Sequence, residues 1–208
     1  MRRLFVRTPA VSFLTLILAA GTVRAASKTF DFKDPKGVNA IAFILDSKLE
    51  PIMGIAQGIA GTVRFDPDNP AEMTGTITVK ASEVRCALPA MTNVLHGADW
   101  LDVRTYPTIE FTFEKIKNAK PVAGGQIELL TVGSLTIKGV TKTITVPVRV
   151  AYLPDQAGRR QRGAKGDLLV LRSNFTIRRS DFNIKPGMGS DGVAEKIELR
   201  VSIVGYEK

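Results

Sequence analysis

Between Gly133 and Val148 the chain reads GSLTIKGVTKTITVPV, two runs of β-branched and apolar residues around a short Lys138-Gly139-Val140-Thr141 connection. Composition and period both predict an antiparallel hairpin. In the second arm Ile144, Val146 and Val148 fall on one face, with Thr143, Thr145, Pro147 and Arg149 on the other, because successive strand side chains point to opposite sides. A hairpin with one dry face is marginal alone and has to find further strands to cover that face.

The rest of the chain supplies them. Phe30 and Phe32 alternate with Asp31 and Lys33 up to Asp34-Pro35, and Val38 to Leu45 follows with Ile41, Phe43 and Leu45 in register. Glu50-Pro51 and Gly54 break regularity before Ile59 to Phe65, a run stopped by the turn sequence Asp66-Pro67-Asp68-Asn69-Pro70. Met73 to Ser82 alternates cleanly, and Thr108 to Phe113 sets Ile109, Phe111 and Phe113 against Glu110, Thr112 and Glu114. After Lys115 to Pro121, Gly124-Gly125 opens Ile127 to Ile137, the hairpin runs on through Tyr152, and Leu168 to Ile177 and Val193 to Val204 are the last runs. These candidates predict one antiparallel β domain, either barrel or sandwich. Only Cys86 to Pro107 lacks the alternation. Ala90 to Leu95 suits a helical turn or two after Pro89, and Asp99 is placed to cap a further short helix from Trp100 to Val103. This segment is expected to form a lid or plug at one end of a barrel.

Composition changes the picture mainly at the N-terminus. Arg2, Arg3 and Arg7 precede an apolar core from Val11 to Ala20, and Val23-Arg24-Ala25 offers small residues for cleavage after Ala25, so residues 1–25 are expected to be a signal peptide and 26–208 the mature domain. The apolar core is far shorter than the ~20 residues that span a bilayer, so no stable membrane insertion is expected and the protein is placed in the periplasm or outside the cell. The four arginines of residues 1–25 account for four of the nine net positive charges, leaving +5. Much of that sits in Arg159, Arg160, Arg162 and Lys165, a loop read either as a solvated tip, the favoured reading, or as a contact for anionic polymers. No aromatic residue interleaves with it, so no nucleic-acid partner is expected. Cys86 is the single cysteine, so the fold is held by its core and not by a disulfide.

Catalytic chemistry finds little support. His96 is the single histidine, so clusters of the usual His/Cys metal type are out of reach, and a solvated loop role is favoured over a ligand or base. Asp99 and Asp102 are closely spaced, yet capping and turn roles suit them better than an acid–base pair. The Gly187-to-Gly192 run is glycine-rich but leads into strand-like sequence, unlike a phosphate loop. No catalytic residue, metal or cofactor is expected, and the protein is read as a non-enzyme. What remains is inward-facing apolar surface. Trp100, Ile109, Phe111, Phe113, Leu135, Ile137, Ile144, Val146, Val148, Leu199 and Val201 are the candidates for core or cavity lining, with Trp100 near the mouth. Burying one five-carbon unit in such a cavity is worth about 3 to 4 kcal/mol as an upper bound before ordering costs.

Several stretches carry a family resemblance. Gly133 to Lys142 resembles the hairpin signature of the YceI-like polyisoprenoid-binding proteins, which are exported, lipocalin-like barrels. Gly61-Thr62-Val63-Arg64-Phe65-Asp66, Asp99-Trp100-Leu101-Asp102 with Tyr106-Pro107-Thr108-Ile109-Glu110-Phe111, and Arg179-Ser180-Asp181-Phe182 are similar to further motifs of that family in the same order, over about residues 28 to 206. Met91-Thr92-Asn93-Val94-Leu95 departs from the family's Arg-Asp-x-His-Leu, Asn183 from its glycine, Arg178 from its asparagine, and Asp46 from its histidine. The resemblance implies an all-β, single lipocalin-like antiparallel barrel of about eight main strands, with a short helical segment around residues 90–103. It implies an apolar cavity more strongly than a pyrophosphate-bearing lipid. The expected partner is an amphiphilic lipid such as a polyisoprenoid, quinone or fatty-acid derivative, with a homodimer left open. The alternative is a filled, non-catalytic envelope module that binds anionic polymers through residues 159–165.

Overall fold

The computed structural model describes residues 27–208, and the expected signal peptide lies outside the described residues. Its strands are β1 (Lys28–Asp31), β2 (Ala40–Asp46), β3 (Pro51–Ala56), β4 (Ile59–Phe65), β5 (Thr74–Lys80), β6 (Val84–Cys86), β7 (Thr108–Val122), β8 (Gln126–Ile137), β9 (Val140–Leu153), β10 (Leu168–Arg178) and β11 (Lys196–Glu207). Two short helices, α1 (Pro89–His96) and α2 (Ala157–Arg160), complete it. Neighbours in the sheet are antiparallel in the order β1-β4-β5-β7-β8-β9-β10-β11, and β11 pairs again with β1, which closes an eight-stranded barrel. That closure excludes the sandwich.

The remaining strands are continuations. β11 turns its first half to β2, which pairs with β3, which pairs with β6. β1 and β2, β3 and β4, and β5 and β6 are therefore the two halves of three bent staves. Pro51 and Gly54, expected from sequence to break regularity, both lie in β3. Pro51 is the strand's first residue, where a missing N–H is tolerated. A Cβ at Gly54 would lie 2.2 Å from Phe43 Cζ, so the glycine makes room for an inward ring on the neighbouring strand. Lys115 to Val122 is also strand, hidden by register shifts at Phe113/Lys115 and Ile116/Asn118 that scramble the two-residue period. The second short helix is replaced by turns from Gly97 onward, where Asp102 has φ of 45°, a left-handed conformation that a helix cannot continue through.

The interior has two different halves. At one pole Phe30, Phe32, Phe65, Leu129 and Leu169 are wholly buried, and Tyr152 packs edge-on to Phe30 at 6.4 Å between ring centroids. A polar plug seals this pole. The Asp167 carboxylate accepts from Lys28 Nζ, from the Tyr152 hydroxyl and from the Asp155 N–H, and Lys28 also meets Glu207 at 3.0 Å. At the opposite pole the staves surround a hollow.

Candidate functional site

The hollow is a cavity of about 530 Å³, within the size range of sites that enclose most of a small organic ligand. Its deep end is set by Phe113, Val148, Leu171 and Ile203, one layer above the packed pole. Phe111 and Phe113 meet edge-to-face at 5.1 Å and form one wall. Trp100, Ile109, Phe111, Phe113, Leu135, Ile137, Val146, Val148, Leu199 and Val201 all border it. Ile144 does not. It stands opposite Gly133, over which the Phe111 ring lies so closely that a Cβ there would be 2.4 Å from Phe111 Cζ, and it packs into the surrounding core instead.

Helix α1 forms a lid at the open pole. Pro89 starts it in the first turn, where a missing N–H costs no bond, and Gly97 ends it. Thr92 fastens it to β6: its hydroxyl accepts from the Cys86 N–H at 3.0 Å and donates to the Cys86 carbonyl at 3.3 Å. His96 Nε2 donates to the Val84 carbonyl at 2.7 Å, so the single histidine is a tether and not a loop residue in free solvent. Met91 and Leu95 pack onto the core beneath the helix, and with Ala90 and Val94, which are exposed at the rim, they border the cavity; Met91 and Val94 stand where the resembling motif carries arginine and histidine. Asp99 is exposed and paired with Lys185 Nζ at 2.5 Å, which holds its carboxyl below the usual range, and Asp102 occupies the left-handed turn; the two do not form an acid–base pair.

Three charged side chains border the cavity: Glu50, Arg172 and Arg179. In the sequence Arg179 is one letter of a motif, and in the fold it has a structural role. It is 1% exposed, and its guanidinium is held by four hydrogen bonds and an ion pair. It donates to the carbonyls of Ala194, Ile184, Lys185 and Met188, and lies 3.2 Å from the Glu195 carboxylate as an ion pair. This one side chain therefore shapes the 180–195 loop that forms one side of the opening. Ile184, Met188 and Val193 of that loop line the cavity, as does Cys86, whose thiol is pushed up by burial.

The basic loop stands at the closed pole. Arg160 leaves it for the interior, bridging both Asp34 oxygens at 2.9 and 3.0 Å and donating to the Tyr206 hydroxyl at 2.8 Å. Arg159, Arg162 and Lys165 remain on the surface. Among the described residues no three His, Cys, Asp or Glu side chains converge on a metal-sized site, and no helix is long and apolar enough to cross a membrane.

A closed antiparallel barrel, packed solid at one pole and hollow and greasy at the other, has the architecture of a lipocalin-like barrel with room for one apolar guest. The family model described as "YceI-like domain" matches residues 20–205, and the chain belongs to that family. Curated relatives include Protein YceI of Escherichia coli O157:H7, 26% identical over 201 residues that cover 95% of this chain and 96% of the relative. Protein YceI of Salmonella agona is 24% identical over 199 residues, covering 95% of each chain. Among solved structures, BcnA of Burkholderia cenocepacia superposes with a TM-score of 0.62 at 26% identity, over 80% of this chain and 95% of that one. A polyisoprenoid binding domain from Saccharophagus degradans, implicated in plant cell wall breakdown, shares the fold at a TM-score of 0.60 and 10% identity, over 88% of this chain and all of that one.

Proposed function

We propose that this protein is an exported carrier that takes the tail of an amphiphilic isoprenoid-type molecule, a polyisoprenoid, quinone or fatty-acid derivative, into the hollow half of its barrel. The observation that carries this reading is the cavity itself: about 530 Å³ enclosed almost wholly by aliphatic and aromatic side chains. Dehydration of the tail drives uptake, at roughly 0.8 kcal/mol for each methylene removed from water. The family and the fold neighbour named for polyisoprenoid binding support a binding role rather than a catalytic one. Export follows from residues 1–25, with the mature chain free in the periplasm or secreted. Lipid extraction and mass spectrometry of protein purified from its native host should recover a long-chain amphiphile. Empty protein that also takes up no long-chain isoprenoid in vitro would overturn the reading.

A further inference from the structure

The barrel wall has a seam. β9 and β10 are paired only from Leu168↔Leu153 to Arg172↔Arg149, although β9 runs back to Val140 and β10 on to Arg178. Beyond Arg172 the facing backbone groups have no ladder partner, which is the condition of an exposed sheet edge. Two residues mark where the ladder stops. Pro147 has no N–H to give, and the Ser173 hydroxyl donates to the Pro147 carbonyl at 2.5 Å in place of a backbone bond. Nearer the mouth, the Ser180–Phe182 turn packs against β9 and Lys138 Nζ donates to the Asn183 carbonyl at 2.9 Å, so that stretch of the seam is filled. Around Pro147 and Ser173 the strands are joined by that one side-chain bond and by no backbone ladder. There an outer hollow of about 300 Å³, lined by Gln126, Glu128, Pro147, Arg149, Arg172, Ser173 and Asn174, shares Arg172 and Ser173 with the interior cavity.

The charge at this point is unusual. Arg149 and Arg172 are direct cross-strand partners on the outer face, about 4.5 to 5.5 Å apart at Cα, where like charges oppose each other. Arg172 has no ion pair or side-chain hydrogen bond among the described residues. Arg149 reaches Glu128 only at 3.6 Å, and that carboxylate is held first by Lys120 at 2.9 Å. Of the three charged residues bordering the cavity, Glu50 has the wrong sign for an anion, and Arg179 is buried with its guanidinium already held by four carbonyls and the Glu195 carboxylate. Arg172 is the cation free to act.

We propose that Arg149 and Arg172 bind the acidic head, phosphate or carboxylate, of an amphiphile whose tail lies in the cavity and whose head emerges through the seam between β9 and β10. The inference rests on the carrier reading. A dianionic or anionic oxygen cluster between two guanidiniums relieves their repulsion and accepts charge-assisted hydrogen bonds.

The test uses geranylgeraniol and geranylgeranyl phosphate, which share one tail, with uptake read from the fluorescence of Trp100 at the cavity. The wild-type protein should prefer the phosphate by about tenfold or more at low salt. Arg149→Gln/Arg172→Gln should reduce that preference to about threefold or less, through weaker binding of the phosphate. Inorganic phosphate alone should not reach the affinity of the tailed phosphate; if it does, the site serves free anions and the proposal falls. Equal binding of both probes by the wild type overturns the head-group site and leaves the carrier reading standing. A preference that survives the double substitution but disappears in Arg178→Gln/Lys185→Gln would place the head at the mouth and also overturn it. Failure of both probes to bind removes the carrier reading and this inference together.

Discussion

Arg160 and Asp34 lie 126 residues apart in sequence and meet in a two-pronged ion pair at the sealed pole of the barrel. The Asp34 side chain is 2% exposed and that of Arg160 15%. Burial alone would raise the Asp34 carboxyl, but hydrogen bonds from Arg160 and from the N–H groups of Lys36 and Val38 hold it below its ordinary value. Removing one partner from such a pair leaves a buried charge uncompensated, which costs far more than the pair itself contributes. Arg160→Ala should therefore destabilise the fold by about 3 kcal/mol in chemical denaturation, while Arg159→Ala should stay within about 0.5 kcal/mol.

Acid should loosen the same pole. Burial pushes the Asp167 carboxyl upward, and bonds from Lys28, Tyr152 and the Asp155 N–H overcome that and lower it. A carboxylate with a depressed folded pKa contributes stability that is complete above its unfolded value, about 3.9, and is lost as pH falls through the folded value. Asp34 has the same sign. The unfolding free energy of the mature protein should change little on their account from about pH 7 to 5 and fall steeply below about pH 4. Asp167→Asn should be less stable at neutral pH and show a shallower acid slope.

In the packed half of the interior Thr131 is fully buried, and its hydroxyl has no hydrogen-bond partner among the described residues. Valine keeps the shape and removes the unsatisfied group. Thr131→Val should stabilise the protein by about 1 kcal/mol, read as a raised denaturation midpoint with an unchanged slope.

Filling the hollow half tests its role without disturbing the seal. Val201 borders the cavity and is only partly buried. Val201→Trp should reduce uptake of geranylgeraniol by tenfold or more, at a stability cost of about 1 to 3 kcal/mol. A variant that folds and binds as well as the wild type would show that the guest lies elsewhere.

Arg179→Lys retains the charge but supplies three donors on one atom where the guanidinium spreads four hydrogen bonds over three nitrogens. Stability should fall by about 2 kcal/mol from the carbonyls left without partners. Limited proteolysis should cut within residues 183–192 of the variant sooner than in the wild type.

Much of this architecture is written in the two-residue period. Val146 and Val148, Leu135 and Ile137, and Leu199 and Val201 alternate cleanly because the β8–β9, β11–β10 and β11–β2 pairings run without a register shift there, and these residues border the cavity. The period fails where a bend or bulge resets it, as between Phe113 and Asn118, and where a ring on one strand needs a glycine on the next, as with Phe43 and Gly54. Arg160 and Arg179 look like ordinary surface cations because their partners are carbonyls and carboxylates brought together only by the closed barrel. The seam left no local signal except Pro147, whose meaning depends on which strand lies beside it.

The anchoring of the 180–195 loop through its backbone, much of it on the Arg179 guanidinium, has a further implication for how the entrance can vary. The carbonyls that Arg179 holds, and the bonds that join Asp191 to Leu49, Ala194 to Ser47 and Asn183 to Lys138, are almost all made by the loop's backbone, so its greasy side chains can change without rebuilding any stave. A gateway of this kind can be re-cut for guests of different girth while the vessel behind it stays the same.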